Sequence, residues 1–108
     1  MDFLGSIKAP LDPPGIDRAR WMRLITTHPN LRPAPQRVGI NPFTRKPMTF
    51  RPHPDFAWVV IAGNQAGTMD WAQDGSNQIS VWGESSGVDE IARQVAAQLG
   101  GTYRAGEG

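Results

Sequence analysis

The 108-residue sequence has no cysteine, only two lysines and no apolar run of the ~20 residues that a membrane-spanning helix needs. The lack of cysteine excludes disulfides, thiolate zinc sites and cysteine nucleophiles, and it fits a reducing compartment. The first ten residues lack the basic and apolar regions of a signal peptide. We therefore expect a cytoplasmic protein that does not bind membranes.

Acidic residues are also missing from one long stretch. Between Arg18 and Arg51 there are eight basic residues and no acid. Residues 1–54 carry nine basic and three acidic side chains, whereas residues 55–108 carry two basic and seven acidic ones. Such segregation is typical of proteins with an anionic partner. The alternative is that the basic residues pair with acids of the same chain, namely Asp70, Glu84, Asp89 and Glu90.

The length and the pattern of apolar residues predict a single α+β domain over residues 1–108. Three strand-like runs, 56–62, 67–72 and 78–83, are separated by turn residues and are followed by a helical pattern. These runs predict a small, mainly antiparallel β-meander packed against a C-terminal helix. A short N-terminal helix and a wrap rich in proline and arginine complete the expected architecture.

The segments before the meander carry weaker signals. Prolines and glycine predict a flexible arm over residues 1–15, and Asp17 is a suitable N-cap for a helix that ends near Thr27. Residues 30–54 contain many prolines, yet their apolar side chains indicate an ordered segment. We expect an irregular hairpin there, Arg37–Ile40 against Met48–Arg51, with a turn that begins at Asn41.

The meander and the last helix define the expected core. A two-residue loop after the first strand places Trp58 and Trp71 together beneath the C-terminal helix, with Trp82 on the opposite face. Apolar residues at helical spacing form one stripe of the helix: Val88, Ile91, Ala92, Val95, Ala96 and Leu99. Ser86 is the expected cap, and Gly100-Gly101 ends the helix. Residues 102–104 predict an edge strand, and 105–108 a loose tail.

Catalytic motifs are not recognisable in this sequence. The histidines, His28 and His53, do not converge with enough other donors to predict a metal site. The serines lack a nucleophile elbow, and no glycine-rich phosphate loop is present. We therefore predict no cofactor, no metal and no catalytic residue, and a small hydrolase or transferase is the third hypothesis for function.

The segment Ile40-Asn41-Pro42-Phe43-Thr44-Arg45-Lys46-Pro47, followed by strand, turn, strand and a helix ending Leu99-Gly100-Gly101, resembles small uncharacterised bacterial α+β proteins. The resemblance covers about residues 40–104. Some of these proteins are candidate immunity proteins, which inhibit secreted toxins, so the resemblance implies this role as one expectation. It transfers no functional residue to this chain.

The first hypothesis for function is a non-catalytic protein-binding module with an acidic partner. Its candidate contact residues are Arg37, Phe43, Arg45 and Lys46, because prolines hold this basic segment and Phe43 can anchor a partner if it is exposed. If Phe43 is instead buried, Asn41-Pro42-Phe43 is only a structural turn. The alternative function is nucleic-acid binding by residues 18–51, with Trp21, Phe43 and Phe50 stacking on bases.

Overall fold

A computed structural model describes residues 2–11, 13–50, 53–84 and 86–106. In these residues the chain forms a six-stranded sheet, a separate two-stranded hairpin and two helices. The elements follow in the order β1 (Asp2–Lys8), α1 (Arg18–Thr27), β2 (Leu31–Pro33), β3 (Arg37–Ile40), β4 (Pro47–Phe50), β5 (Phe56–Ile61), β6 (Asn64–Trp71), β7 (Gln78–Gly83), α2 (Ser86–Leu99) and β8 (Thr102–Ala105). The large sheet has the strand order β2-β5-β6-β7-β1-β8, and its paired strands are all antiparallel. The predicted α+β fold class is confirmed.

The N-terminal residues are part of the sheet. Strand β1 lies between β7 and β8, and Ile7 is fully buried in the core. The expected flexible arm over residues 1–15 is therefore wrong for residues 2–8. The segment after β1 is held by Asn77, whose Oδ1 accepts from the Ile16 N–H at 2.8 Å and whose Nδ2 donates to the Ile16 carbonyl at 3.0 Å. The Asn77 side chain thus bonds both backbone groups of Ile16, as a paired strand would, and holds the segment that leads into α1 in place.

The register of the β5–β6 hairpin differs from the prediction by one residue. The two-residue turn is Ala62-Gly63, both at positive φ, and a bulge follows at Val59/Val60. Ala57 therefore pairs with Met69, and Trp58 pairs with Thr68. The expectation that Trp58 lies beneath the C-terminal helix is wrong, because this register turns it to the opposite face. Trp82 lies on that opposite face, as predicted.

Both helices cover the same face of the sheet. Asp17 caps α1 by accepting from the Ala19 N–H at 3.0 Å, as the sequence predicts. All six residues of the predicted apolar stripe on α2 are buried, and they share one core with Met69, Ile79 and Val81 of the sheet. A Cβ at Gly83 would lie 2.9 Å from Cγ2 of Val88, so glycine is what allows α2 to approach β7 closely.

The C-terminal residues return to the sheet after α2. Gly100 has a φ of +73°, which is the left-handed conformation expected of the residue that ends the helix. Strand β8 then pairs with β1, which confirms the predicted edge strand. The expected loose tail is wrong for Ala105, which pairs with Gly5. Residues 107–108 lie outside the described part of the chain.

The second face of the six-stranded sheet, named here the outer face, is not covered by either helix. It carries Phe3, Trp58, Thr68, Asp70, Ser80 and Trp82, which direct cross-strand pairing places on one side. Within residues 2–11, 13–50, 53–84 and 86–106, no helix is long and apolar enough to cross a membrane.

Candidate protein-binding hairpin

The predicted interaction residues fall on the hairpin formed by β3 and β4, named here the basic hairpin (residues 37–50). Arg37 pairs with Phe50 and Ile40 pairs with Pro47, so the second strand begins one residue earlier than expected. Arg51, the predicted last residue of that strand, lies outside the described residues. The hairpin belongs to neither layer of the main domain, since its strands pair only with each other in the described chain.

Asn41 organises the loop of the basic hairpin. Its Oδ1 accepts from the Phe43 N–H at 2.8 Å and from the Thr44 N–H at 3.3 Å, which is the predicted Asx-type turn. Its backbone closes the loop, because its carbonyl accepts from the Arg45 N–H at 2.7 Å and its N–H donates to Lys46 at 2.9 Å. Arg45 adopts a φ of +58° at the end of this turn. The loop therefore has a defined shape before any partner binds.

Large apolar side chains of the basic hairpin face solvent. Phe43 is 94% exposed, Val38 is 76% exposed and Ile40 is 70% exposed. Val38 and Ile40 lie two residues apart on one strand, so they point to the same side of the hairpin. The alternative in which Phe43 is a buried turn residue is therefore wrong. Sequence reasoning identified Phe43 as a contact residue but not Val38 and Ile40, because the alternation of a strand does not show whether a second layer covers it.

The cationic residues of the loop have no acidic partner in the described part of the chain. Arg45 and Lys46 are exposed, whereas Arg18 of α1 forms an ion pair with Asp55. The side chain of Arg37 lies outside what the structure describes. Asp89, one of the acids considered as an internal partner, accepts a hydrogen bond from the Tyr103 hydroxyl. The structure thus brings together Phe43, Arg45 and Lys46 within one loop.

The buried carboxylate of Asp55 has a structural role, because side chains of neighbouring elements donate hydrogen bonds to it. Nε of Arg18 donates to it at 3.1 Å, and Nε2 of Gln73 donates at 3.0 Å. Nε1 of Trp21 donates to the Asp55 backbone carbonyl at 2.8 Å, and the Trp21 side chain is completely buried. These bonds attach α1 to the end of the sheet. They also remove Trp21 from the proposed set of base-stacking aromatics.

The other titratable groups were compared with the requirements of a metal site. Among the described residues, no group of three histidine or carboxylate side chains is placed to hold a metal ion. Burial raises the pKa of Asp70, the negative charge of Asp55 raises it further, and His53 opposes both effects. Asp70 lies on the outer face rather than beside the basic hairpin loop, so it does not contribute to that site.

Comparison of the chain with models of protein families, with curated proteins and with solved structures gave no match. Support for a function therefore comes from the geometry of the chain itself.

Proposed function

We propose that this chain is a non-catalytic protein-binding module whose basic hairpin docks on an acidic protein surface. The observation that carries the proposal is the position of Phe43, which is 94% exposed at the tip of the hairpin beside Arg45 and Lys46. Protein–protein interfaces commonly contain an aromatic anchor that is surrounded by polar and charged residues, and the exposed ring of Phe43 next to two cations matches this composition.

The shape of the hairpin supports binding rather than a core function. The Asx-type turn restricts the loop, so binding costs less conformational entropy than it would for an unstructured loop. Val38 and Ile40 extend the apolar surface from the loop along one strand, which enlarges the area that a partner can bury. Arg45 and Lys46 accelerate the encounter with an acidic partner, while Phe43 slows its dissociation.

We place this interaction in the cytoplasm, because a chain without cysteine suits a reducing compartment. Residues 40–104 resemble small uncharacterised bacterial α+β proteins, some of them candidate immunity proteins, and this resemblance favours inhibition of a toxin as the biological role. A secreted toxin with an acidic active-site rim is accordingly the first partner to test, and affinity capture from the native cell with mass spectrometry supplies the others.

The test is a set of substitutions measured by surface plasmon resonance against the captured partner. Reversing Arg45 and Lys46 to Glu should lower the association rate constant about tenfold at low salt, because electrostatic steering is lost. Phe43→Ala should mainly raise the dissociation rate constant. Neither change should move the melting temperature, since all three side chains are exposed.

The matched control reverses Arg20 and Arg23, two exposed arginines on α1, to Glu. This control changes the net charge by the same amount and should leave the association rate nearly unchanged. If the hairpin reversal lowers stability while binding stays intact, the basic segment is structural and the proposed interface is wrong. Equal effects of both double reversals would show that only net charge matters.

A further inference from the structure

The outer face of the sheet is a second surface that the basic hairpin does not use. Two rows of side chains cross it, each at right angles to the strands. The first row runs Arg32, Trp58, Thr68, Trp82, Phe3 from β2 to β1, and the second runs Phe56, Asp70, Ser80, Ser6, Arg104 from β5 to β8. The rows combine exposed aromatic surface with one acid and arginines at the edges.

The charges in the second row are arranged symmetrically about the line between β7 and β1. Ser80 of β7 and Ser6 of β1 lie on either side of this line. Asp70 lies one strand beyond Ser80, and Arg104 lies one strand beyond Ser6. A twofold axis parallel to the strands and midway between β7 and β1 therefore exchanges the position of the acid with that of the base.

We infer that the outer face binds the outer face of a second copy of this chain about that axis. The two sheets stack face to face, as in a β-sandwich, at a separation of about 10 Å. Asp70 of each copy then lies opposite Arg104 of the other, so the dimer contains this ion pair twice. Because the interface is isologous, one surface patch satisfies itself.

The first row fits the same axis. Trp82 and Phe3 occupy the two central strands, and their rings already contact each other edge to face at 5.1 Å. The axis places Trp82 of one copy over Phe3 of the other, which covers the Trp82 side chain that is 39% exposed in a single copy. Aromatic residues at the centre with charged residues outside them is the usual anatomy of a protein–protein interface.

One feature of the polar groups agrees with a second copy. Arg104 is exposed and has no acidic partner among the described residues. A polyanion such as single-stranded nucleic acid suits the arginines and the aromatic rings, but it would meet the carboxylate of Asp70 at the middle of the face.

The expected dimer is weak. The symmetric patch uses four of the six strands, β6, β7, β1 and β8, so we expect it to bury less than the ~800 Å² per partner of standard interfaces. We expect a dissociation constant on the order of micromolar, which sedimentation velocity measures directly. Samples should span about 2 to about 500 µM, so that both monomer and dimer are populated.

The decisive experiment is a charge exchange across the axis. Asp70→Arg and Arg104→Asp should each weaken the dimer about tenfold or more, because each single change places two like charges opposite one another. The double variant D70R/R104D restores opposite charges in both pairs and should recover dimerisation to within about threefold of the unchanged chain. Arg20→Asp on α1 is the matched control and should have no effect.

Arg104→Asp is the variant less prone to misfolding, because Arg104 is exposed whereas Asp70 is partly buried. It therefore tests the interface even if Asp70→Arg fails to fold. Thermal unfolding of each variant identifies any loss of folded protein. A chain that stays monomeric throughout the range overturns the inference, as does a dimer that R104D leaves intact. Binding of a fluorescent single-stranded 12-mer that weakens in Trp82→Ala, without self-association, assigns the face to nucleic acid instead.

Discussion

His28 is a buried histidine at the end of α1, and its surroundings favour the neutral ring. The Asn30 N–H donates to Nδ1 at 3.1 Å, so this nitrogen has to be unprotonated in the folded protein. Burial lowers the pKa of His28 below its ordinary value of 6.5, although a hydrogen bond with Gln94 acts in the opposite direction. The sequence motif His28-Pro29-Asn30 thus has a capping role at the end of α1.

The lowered pKa of His28 predicts a stability that depends on pH. The unfolded chain binds a proton near pH 6.5, while the folded chain resists protonation, so the stabilisation is complete above about pH 6.5 and is lost below it. Urea unfolding between about pH 5 and about pH 7.5 measures this slope. His28→Gln keeps an acceptor for Asn30 and should flatten the slope, whereas His53→Gln, at an exposed position, should not. Equal slopes in the unchanged chain and H28Q would contradict the argument.

At the scale of elements, α2 buries more apolar side chains in the core than α1 does. Val95 lies in the middle of its buried stripe and is fully enclosed by the core. Val95→Asp places an unpaired carboxylate against the sheet, and we expect a loss of about 4 kcal/mol or more, comparable to the whole stability of a small domain. Ala97→Asp, on the exposed side of the same helix, should cost less than about 1 kcal/mol. Guanidinium unfolding distinguishes the two, and a stable V95D variant would mean that the stripe does not face the core.

The elements that could be predicted from the sequence are those whose signals are local. The stripe of α2, the Asp17 cap and the Asx-type turn at Asn41 each depend on residues within one or two turns of chain. The β5–β6 register could not be predicted, because Ala62 adopts a φ of +52° and a bulge then adds one residue. The bulge exchanges the faces of the strand, whereas the turn position alone would keep them, and neither feature has a strong residue signature.

Strand β1 shows the other limit of local reasoning. Its residues have no strong strand propensity, and its partners β7 and β8 lie about 70 to 100 residues away in the sequence. The same limit applies to the two surfaces. The exposure of Phe43 depends on whether another layer covers its hairpin. The placement of Asp70 and Arg104 in one row depends on which strands pair, and both arrangements exist only in the assembled fold.

For the whole molecule, the charge segregation of the sequence becomes a division of surfaces. The acid-free stretch places Arg45 and Lys46 on the basic hairpin and Arg32 at the β2 edge, while Asp55, from the acidic half, is buried beneath Arg18. This last pair joins the basic half to the acidic half in the manner of internal neutralisation. The radius of gyration, 14.8 Å, exceeds the about 13 Å expected for a compact chain of this length, which agrees with a hairpin that projects.

A projecting hairpin predicts an uneven pattern of hydrogen exchange. A two-stranded sheet without a covering layer is marginally stable in water, whereas opening of the six-stranded sheet requires disruption of the core. Amides of the basic hairpin should therefore exchange at least about a hundredfold faster than those of β6 and β7.

Exchange followed by mass spectrometry of peptic peptides measures both regions in one sample, and Phe43→Ala should leave the pattern unchanged because this ring contacts no core. Adding an acidic partner should slow exchange in the hairpin alone, and self-association should slow exchange at the outer face alone. A hairpin as protected as β6 and β7 in the isolated chain would show that its exposed apolar residues are already covered, and the proposed interface would then be wrong.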